Sequence, residues 1–236
     1  RDRDAMKITV SGGAGRLGRL LVPALEAAGH TVHAPPRSSC DWTCPGQVRR
    51  ALAGAERVLA LAAWTDVRGA QHQPAAAVRD TVATTQATLQ AARTQGVGVF
   101  YVSTDYVLGL LRAQHGVGVY AAAKLVAEQL VLGAGGYVAR VSFTTNEQAA
   151  GWQWADGYSQ SSRCWADELV PQLADWLTYT GTQPQLQALG GDEPCTAEQL
   201  LRRRYPQHPA LQRVLRTPDD LARQGVHLRP PDTTWG

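Results

Sequence analysis

A run of glycines limits what this chain can fold into more than any other feature. Residues 10–18 read Val10-Ser11-Gly12-Gly13-Ala14-Gly15-Arg16-Leu17-Gly18. An apolar run over 7–10 precedes it and a helical pattern over 17–28 follows, so the glycines join a strand to a helix. In that context Gly12 permits a tight turn, Gly15 lets the backbone approach a pyrophosphate, and Gly18 allows close packing of helix on sheet. The free amides and the positive end of the helix then hold the phosphates. Gly12, Gly15, Arg16, Leu17 and Gly18 are therefore candidate cofactor-binding residues.

The rest of the first two-thirds alternates in the same way. Strands are predicted over 31–34, 57–62, 97–102 and 137–141, and helices over 47–53, 74–95 and 120–132. Gly29 and Gly96 stand where C-terminal glycines end a helix. Alternation of this kind implies parallel pairing through right-handed crossovers, hence a Rossmann-type doubly wound α/β sheet. After residue 143 the rhythm changes. Residues 146–163 read as a long polar and aromatic loop, followed by a helix over 166–178, a strand near 185–188 and short helices over 196–204 and 218–224. Thr217 is a good N-cap ahead of Pro218. This is too little for an independent core. The expectation is a nucleotide-binding domain over 6–145 and a small C-terminal substrate lobe over 146–236, packed on it.

Composition excludes several classes. Hydrophobic residues make up 44% and charged residues 18% of 236, enough for a sizeable globular core. The net charge of +3 is small and scattered, which gives no sign of nucleic-acid binding. The one basic run, Arg202 to Arg204, reads as a solvated helix face. No apolar stretch is long enough to span a bilayer, and no signal peptide is evident. Met6, the single methionine, reads as the natural start, with residues 1–5 an addition ahead of it. The cysteines at 40, 44, 164 and 195 form no zinc pattern and the histidines are dispersed. Reduced thiols in a cytoplasmic protein, with no metal site, are expected.

The end of the second strand bears on cofactor choice. Sites that prefer NAD(H) usually place there an acid that binds the ribose hydroxyls. This chain has Ala34-Pro35-Pro36-Arg37-Ser38 instead. Arg37 can pair with a 2′-phosphate and Ser38 can donate a hydrogen bond, so NADP(H) is favoured over NAD(H). Further along, Thr104 closes a strand at the carboxyl edge, where parallel sheets bind ligands. Tyr120 and Lys124 lie four apart on the following helix and share a face. A positive Lys124 would lower the pKa of Tyr120, which can pass a proton to or from a substrate oxygen that the Thr104 hydroxyl holds. The order of glycine turn, strand-end Ser-Thr and Tyr-x-x-x-Lys suits carbonyl reduction.

That order resembles the extended short-chain dehydrogenase/reductase family, of the NAD-dependent epimerase/dehydratase superfamily, and most of all its dTDP-4-dehydrorhamnose reductase-like sugar-nucleotide reductases. The resemblance rests on 12–18, Arg37-Ser38 with Asp41, Ala62-Ala63-Trp64-Thr65, Ser103-Thr104-Asp105-Tyr106-Val107, Tyr120 with Lys124, and Arg140-Val141-Ser142. It implies Thr104, Tyr120 and Lys124 as catalytic residues. It also implies cofactor contacts for Ser103, Tyr120 and Lys124, for Ala62 and Ala63 along the cofactor, and for Asp41-Trp42 near the adenine. Trp64, Asp105, Tyr106 and, on the lobe, Arg163 are the substrate-side candidates. Trp152 and Trp154 suit either a substrate pocket or loop packing. By analogy alone, the helices over 74–95 and 120–132 offer a homodimer interface.

The chain also departs from the family. The asparagine common after the third strand is replaced, with Ala60 on the strand and Thr81 on the long helix. The segment between Val107 and Tyr120 is short and lacks a proline-rich approach to the tyrosine. Two functions follow: an NADP(H)-dependent reductase acting on a small-molecule carbonyl, a sugar nucleotide or a smaller metabolite; or a non-catalytic NADP(H)-binding regulatory or accessory protein. The intact Tyr120 and Lys124 argue for the enzyme.

Overall fold

The computed structural model describes residues 5–111, 118–179 and 185–224. The apolar runs of the first half form β1 (Lys7–Ser11), β2 (Thr31–His33), β3 (Arg57–Ala60), β4 (Gly98–Thr104) and β5 (Tyr137–Val141). Between them lie α1 (Gly18–Ala27), α2 (Pro45–Ala51), α3 (Gly69–His72), α4 (Pro74–Val78), α5 (Thr84–Gln95), α6 (Tyr106–Leu111) and α7 (Gly118–Gly133). Beyond β5 come β6 (Phe143–Thr144), α8 (Asn146–Ala150), β7 (Ala155–Asp156), β8 (Cys164–Trp165) and α9 (Ala166–Thr178). The described chain closes with β9 (Leu186–Leu189), α10 (Ala197–Arg204), β10 (Val214–Leu215) and α11 (Pro218–Arg223).

Six strands pair in the order β2-β1-β3-β4-β5-β9, every pair parallel. This is the doubly wound sheet that the alternation predicts. Strand residues alternate between its two faces. Val10, Leu59, Phe100 and Val102 pack on one side with Leu21 and Leu25 of α1 and Leu169, Leu173 and Trp176 of α9. Val58, Val99, Tyr101 and Val138 pack on the other with Val48 of α2, Ala87 and Ala91 of α5, and Ala127 and Val131 of α7. Each large apolar side chain so buried contributes roughly 1.5–3 kcal/mol, which is why the period-two pattern fixes the register. The chain leaves β1 for β2 on one side and reaches β3 on the other, so the carboxyl ends of β1 and β3 flank a crevice.

Three expectations need correction. The helix over 74–95 is not uniform: a π-helical turn at Arg79–Ala83 separates α4 from α5, although Gly96 caps the end as expected, with φ 69°. Residues 146–163 are not all loop, because Thr145 caps α8, accepting from Gln148 N at 3.2 Å, and β7 pairs with β10. The lobe over 146–236 is also not one contiguous piece. Two of its elements return to the main layer: the apolar stripe of α9 covers the sheet beside α1, and β9 becomes the outer neighbour of β5. What stands apart is a smaller cluster around Trp165, Leu200, Leu201 and Ala210.

Within the basic run Arg202 and Arg203 are exposed, as a solvated face requires, and only Arg204 departs from it. Arg204 reaches Asp167 at 2.9 Å and Glu168 at 2.8 Å and lies over the Trp165 ring, fastening α10 to α9. All four cysteines are free. Thr217 caps the last helix, accepting from Asp220 N at 3.1 Å. The expected addition at 1–5 lies outside the described residues except for Ala5, as do 112–117 of the short segment before Tyr120.

Candidate active site

The glycine turn is built as a cradle. Gly12 has φ 71°, and a Cβ there would sit 3.0 Å from the Ala62 amide nitrogen. A Cβ on Gly18 would come within 2.5 Å of the Gly13 carbonyl oxygen, so only glycine lets α1 start this close to the turn. Gly15 closes the turn through its N–H to Gly12 O at 2.9 Å and is itself exposed. Ser11, fully buried, accepts from the Leu61 and Ala62 amides at 3.0 Å each and holds the loop after β3 against the turn. A cavity opens along Gly12, Gly15, Arg16, Leu17 and Gly18, and a glycine turn at the start of a helix lined in this way fits a pyrophosphate.

Two cavities meet at this turn. One of about 220 Å³ is lined by Gly12, Gly13, Pro36, Arg37, Asp41, Trp42, Ala62 and Ala63, together with Asp80 and Thr84. The Asp41 carboxylate accepts from Thr43 N at 2.9 Å and Thr43 Oγ1 at 2.8 Å, and those bonds hold its pKa below the usual carboxylate value. The other cavity, of about 330 Å³, runs from Gly12, Gly15, Arg16, Leu17 and Gly18 to Ser103, Thr104, Asp105, Tyr106, Tyr120 and Lys124. The structure thus brings the glycine turn and the three catalytic candidates to the walls of one cleft.

Each of those three is placed by its element. Thr104 is the last residue of β4, and its hydroxyl donates to Asp105 Oδ1 at 3.2 Å. Tyr120 and Lys124 are one turn apart on α7, and the Tyr106 ring stands edge-on to Tyr120 at 5.9 Å. Lys124 is buried, donates to the Val102 carbonyl at 2.6 Å, and has its ammonium 4.2 Å from the centre of the Tyr101 ring. Burial pulls its pKa from 10.5 down to about 7, while the negative charge of Glu128 opposes that shift. Glu128 is wholly buried one turn beyond. It accepts from Ser103 Oγ at 3.0 Å and Arg140 Nε at 3.1 Å, tying α7 to β4 and β5 beneath the cleft.

A third cavity of about 420 Å³ adjoins the second and shares Tyr106, Trp152 and Arg163 with it. Arg68, Trp154 and Asp156 complete its walls. Two candidates fall elsewhere. Ser38 is exposed on the turn after β2 and lines none of these cavities. Trp64 lines none either, since its indole donates to the Asp66 carbonyl at 2.6 Å. Sequence reasoning missed Ser11, Arg68, Asp80 and Glu128. Glu128 alone had a local signal, an acid four residues after Lys124 within an apolar helical pattern. Among the described residues, no group of three or more His, Cys, Asp or Glu side chains could hold a metal ion, and no helix is long and apolar enough to cross a membrane.

Comparison with known proteins gives the family and the fold. The family model described as RmlD substrate binding domain matches residues 6–151. The dTDP-4-dehydrorhamnose reductase of Mycolicibacterium smegmatis is 31% identical over 192 residues, covering 75% of this chain and 58% of that protein. The enzyme of the same name from Streptomyces griseus is 35% identical over 133 residues, or 52% of this chain and 44% of the relative. The chain therefore spans about half the length of the curated relatives it matches. Among solved structures, a Bacillus anthracis dTDP-4-dehydrorhamnose reductase in complex with NADP superposes with a TM-score of 0.80 at 16% identity, covering 98% of this chain and 89% of that one. The NDP-hexosamine 5,6-dehydratase TunA gives a TM-score of 0.72 at 18% identity, over 96% and 86%. Likeness at that level of identity shows a shared fold.

Proposed function

The chain belongs to the RmlD substrate binding domain family, and on that premise we propose that it is an NADP(H)-dependent reductase of a sugar-nucleotide carbonyl. The observation that carries this reading is the single cleft lined by both the glycine turn and Thr104, Tyr120 and Lys124. The names of the curated relatives support the substrate class, and the NADP complex of a structural relative supports the cofactor.

In this reading the backbone amides of the glycine turn hold the pyrophosphate, Arg37 meets the 2′-phosphate, and Trp42, Ala62 and Ala63 flank the adenosine end. NADPH held there would supply the hydride for the carbonyl carbon. Tyr120 gives its proton to the carbonyl oxygen, and the Thr104 hydroxyl turns from Asp105 to hold that oxygen. A charged Lys124 makes the tyrosine a better acid-base group. Arg68 and Arg163, with Trp152 and Trp154, form the wall against which a diphosphate and a base could rest, so the part of the chain after residue 145 acts as the substrate side.

The test is turnover of dTDP-4-dehydrorhamnose with NADPH by the wild type and by Tyr120→Phe. Loss of the proton donor should lower kcat by about 100-fold or more while NADPH still binds. Unchanged turnover would overturn the mechanism. One observation favours the alternative of a non-catalytic NADP(H)-binding protein: the Lys124 ammonium, although on the cleft wall, donates to the Val102 carbonyl. NADPH binding without turnover in the wild type would establish that reading.

A further inference from the structure

Asp80 is a charged wall of the nucleotide cavity to which the proposed function gives no task. It lies in the π-helical turn, and its side chain is only 20% exposed. Its neighbour Thr81 is buried and accepts from the Trp64 amide at 3.2 Å, which pins the turn to the loop carrying Ala62 and Ala63. Asp80 Oδ1 accepts from Arg79 Nε at 3.0 Å, and Asp80 Oδ2 stands 3.9 Å from Arg37 Nη2. Arg37, Asp80 and Asp41 line the same cavity. Asp41 accepts from Thr43 through Oδ1 and also feels the charge of Arg37, while Asp80 is the carboxylate within ion-pair distance of that guanidinium.

We propose that Asp80 is a specificity-determining residue of the nucleotide site, one that competes with a 2′-phosphate for Arg37 and thereby lowers the preference for NADPH over NADH. This rests on the reading of the cavity as the adenosine end of an NADP(H) site. A phosphate dianion entering beside Arg37 must take the guanidinium from a carboxylate and then lie near that carboxylate, and both effects weaken its binding. A 2′-hydroxyl carries no charge and meets neither obstacle. The acid that such sites commonly carry at the end of the second strand is absent here, and a carboxylate from the helical segment after the third strand lines the same cavity as Arg37. Arg37 is 86% exposed, so water and salt screen the competition and its effect is several-fold rather than thousands-fold.

The experiment is a titration of the wild type, Asp80→Asn, Asp80→Ser and Arg37→Gln with NADPH and with NADH, at low and at high salt, following nicotinamide fluorescence. Both Asp80 variants should bind NADPH about 3–10-fold more tightly at low salt with NADH affinity little changed, and the gain should shrink at high salt. Unchanged or weaker NADPH binding in both variants overturns the proposal, as does an equal shift for both nucleotides. If Arg37→Gln weakens NADPH binding while the Asp80 variants behave as wild type, the NADP(H) reading stands and this inference falls. A wild type that binds neither nucleotide overturns the NADP(H) reading and the inference with it.

Discussion

Burial holds the Lys124 ammonium at about 7 in the folded chain against 10.5 in the free side chain. Between those values the unfolded chain binds more protons than the folded one, so stability should rise with pH through that window, and the cost of burial is complete below it. Thermal melts of nucleotide-free wild type and Lys124→Met, compared from about pH 6 to pH 9, check this: the wild type should gain on the variant by at most about 1.4 kcal/mol per pH unit. Parallel curves would mean that the folded lysine keeps its charge throughout. Gly18→Ala is the second prediction at this scale. A methyl group 2.5 Å from the Gly13 carbonyl must push α1 away from the turn, so nucleotide binding should be lost while far-UV circular dichroism still reports a folded sheet. The glycines, Thr104, and the pair Tyr120 and Lys124 stand out as candidates through their order along the chain, and the structure sets them on the walls of one cleft. Asp80 had no such signal, and the one that Glu128 had, its spacing from Lys124, does not name its partners, because Ser103, Arg140 and, for Asp80, Arg37 arrive from other elements.

Elements with a strong period were read correctly, whereas their partners and irregularities were not. The sheet strands of the first half follow the apolar runs within a few residues, since burial on both faces leaves an unmistakable composition. The π-helical turn leaves none, for Arg79, Asp80 and Thr81 suit an ordinary helix equally well. Its cause is tertiary: Thr81 faces the loop after β3 and satisfies the Trp64 amide. Thr81→Val keeps the shape and removes the acceptor. It should cost about 1–2 kcal/mol in urea denaturation, with Thr81→Ser restoring most of the loss. Similarly, the run near 185–188 reads as a strand, but nothing in it names β5 as the neighbour. The large apolar residues of α9 carried that information jointly with α1, through the face they cover.

Taken as one body, the chain crosses between the sheet and the smaller cluster three times: after β5, between β8 and α9, and after β9. A fragment ending at residue 145 would lack α9, leaving Leu21 and Leu25 of α1 beside a bare sheet face, and would leave the outer edge of β5 unpaired. Such a fragment should be insoluble or unfolded by heteronuclear NMR, whereas the full chain at about 100 times the NADPH dissociation constant should melt roughly 5–10 °C higher than without nucleotide. The same return of β9 sets an order of events at the ribosome. The glycine turn, Tyr120 and Lys124 are all synthesised before Leu189, the residue that completes the sheet. At about 5–20 residues per second, the nascent chain carries its whole catalytic complement for several seconds with one hydrophobic face uncovered. It is in that interval, before any substrate is met, that this protein has most need of a chaperone.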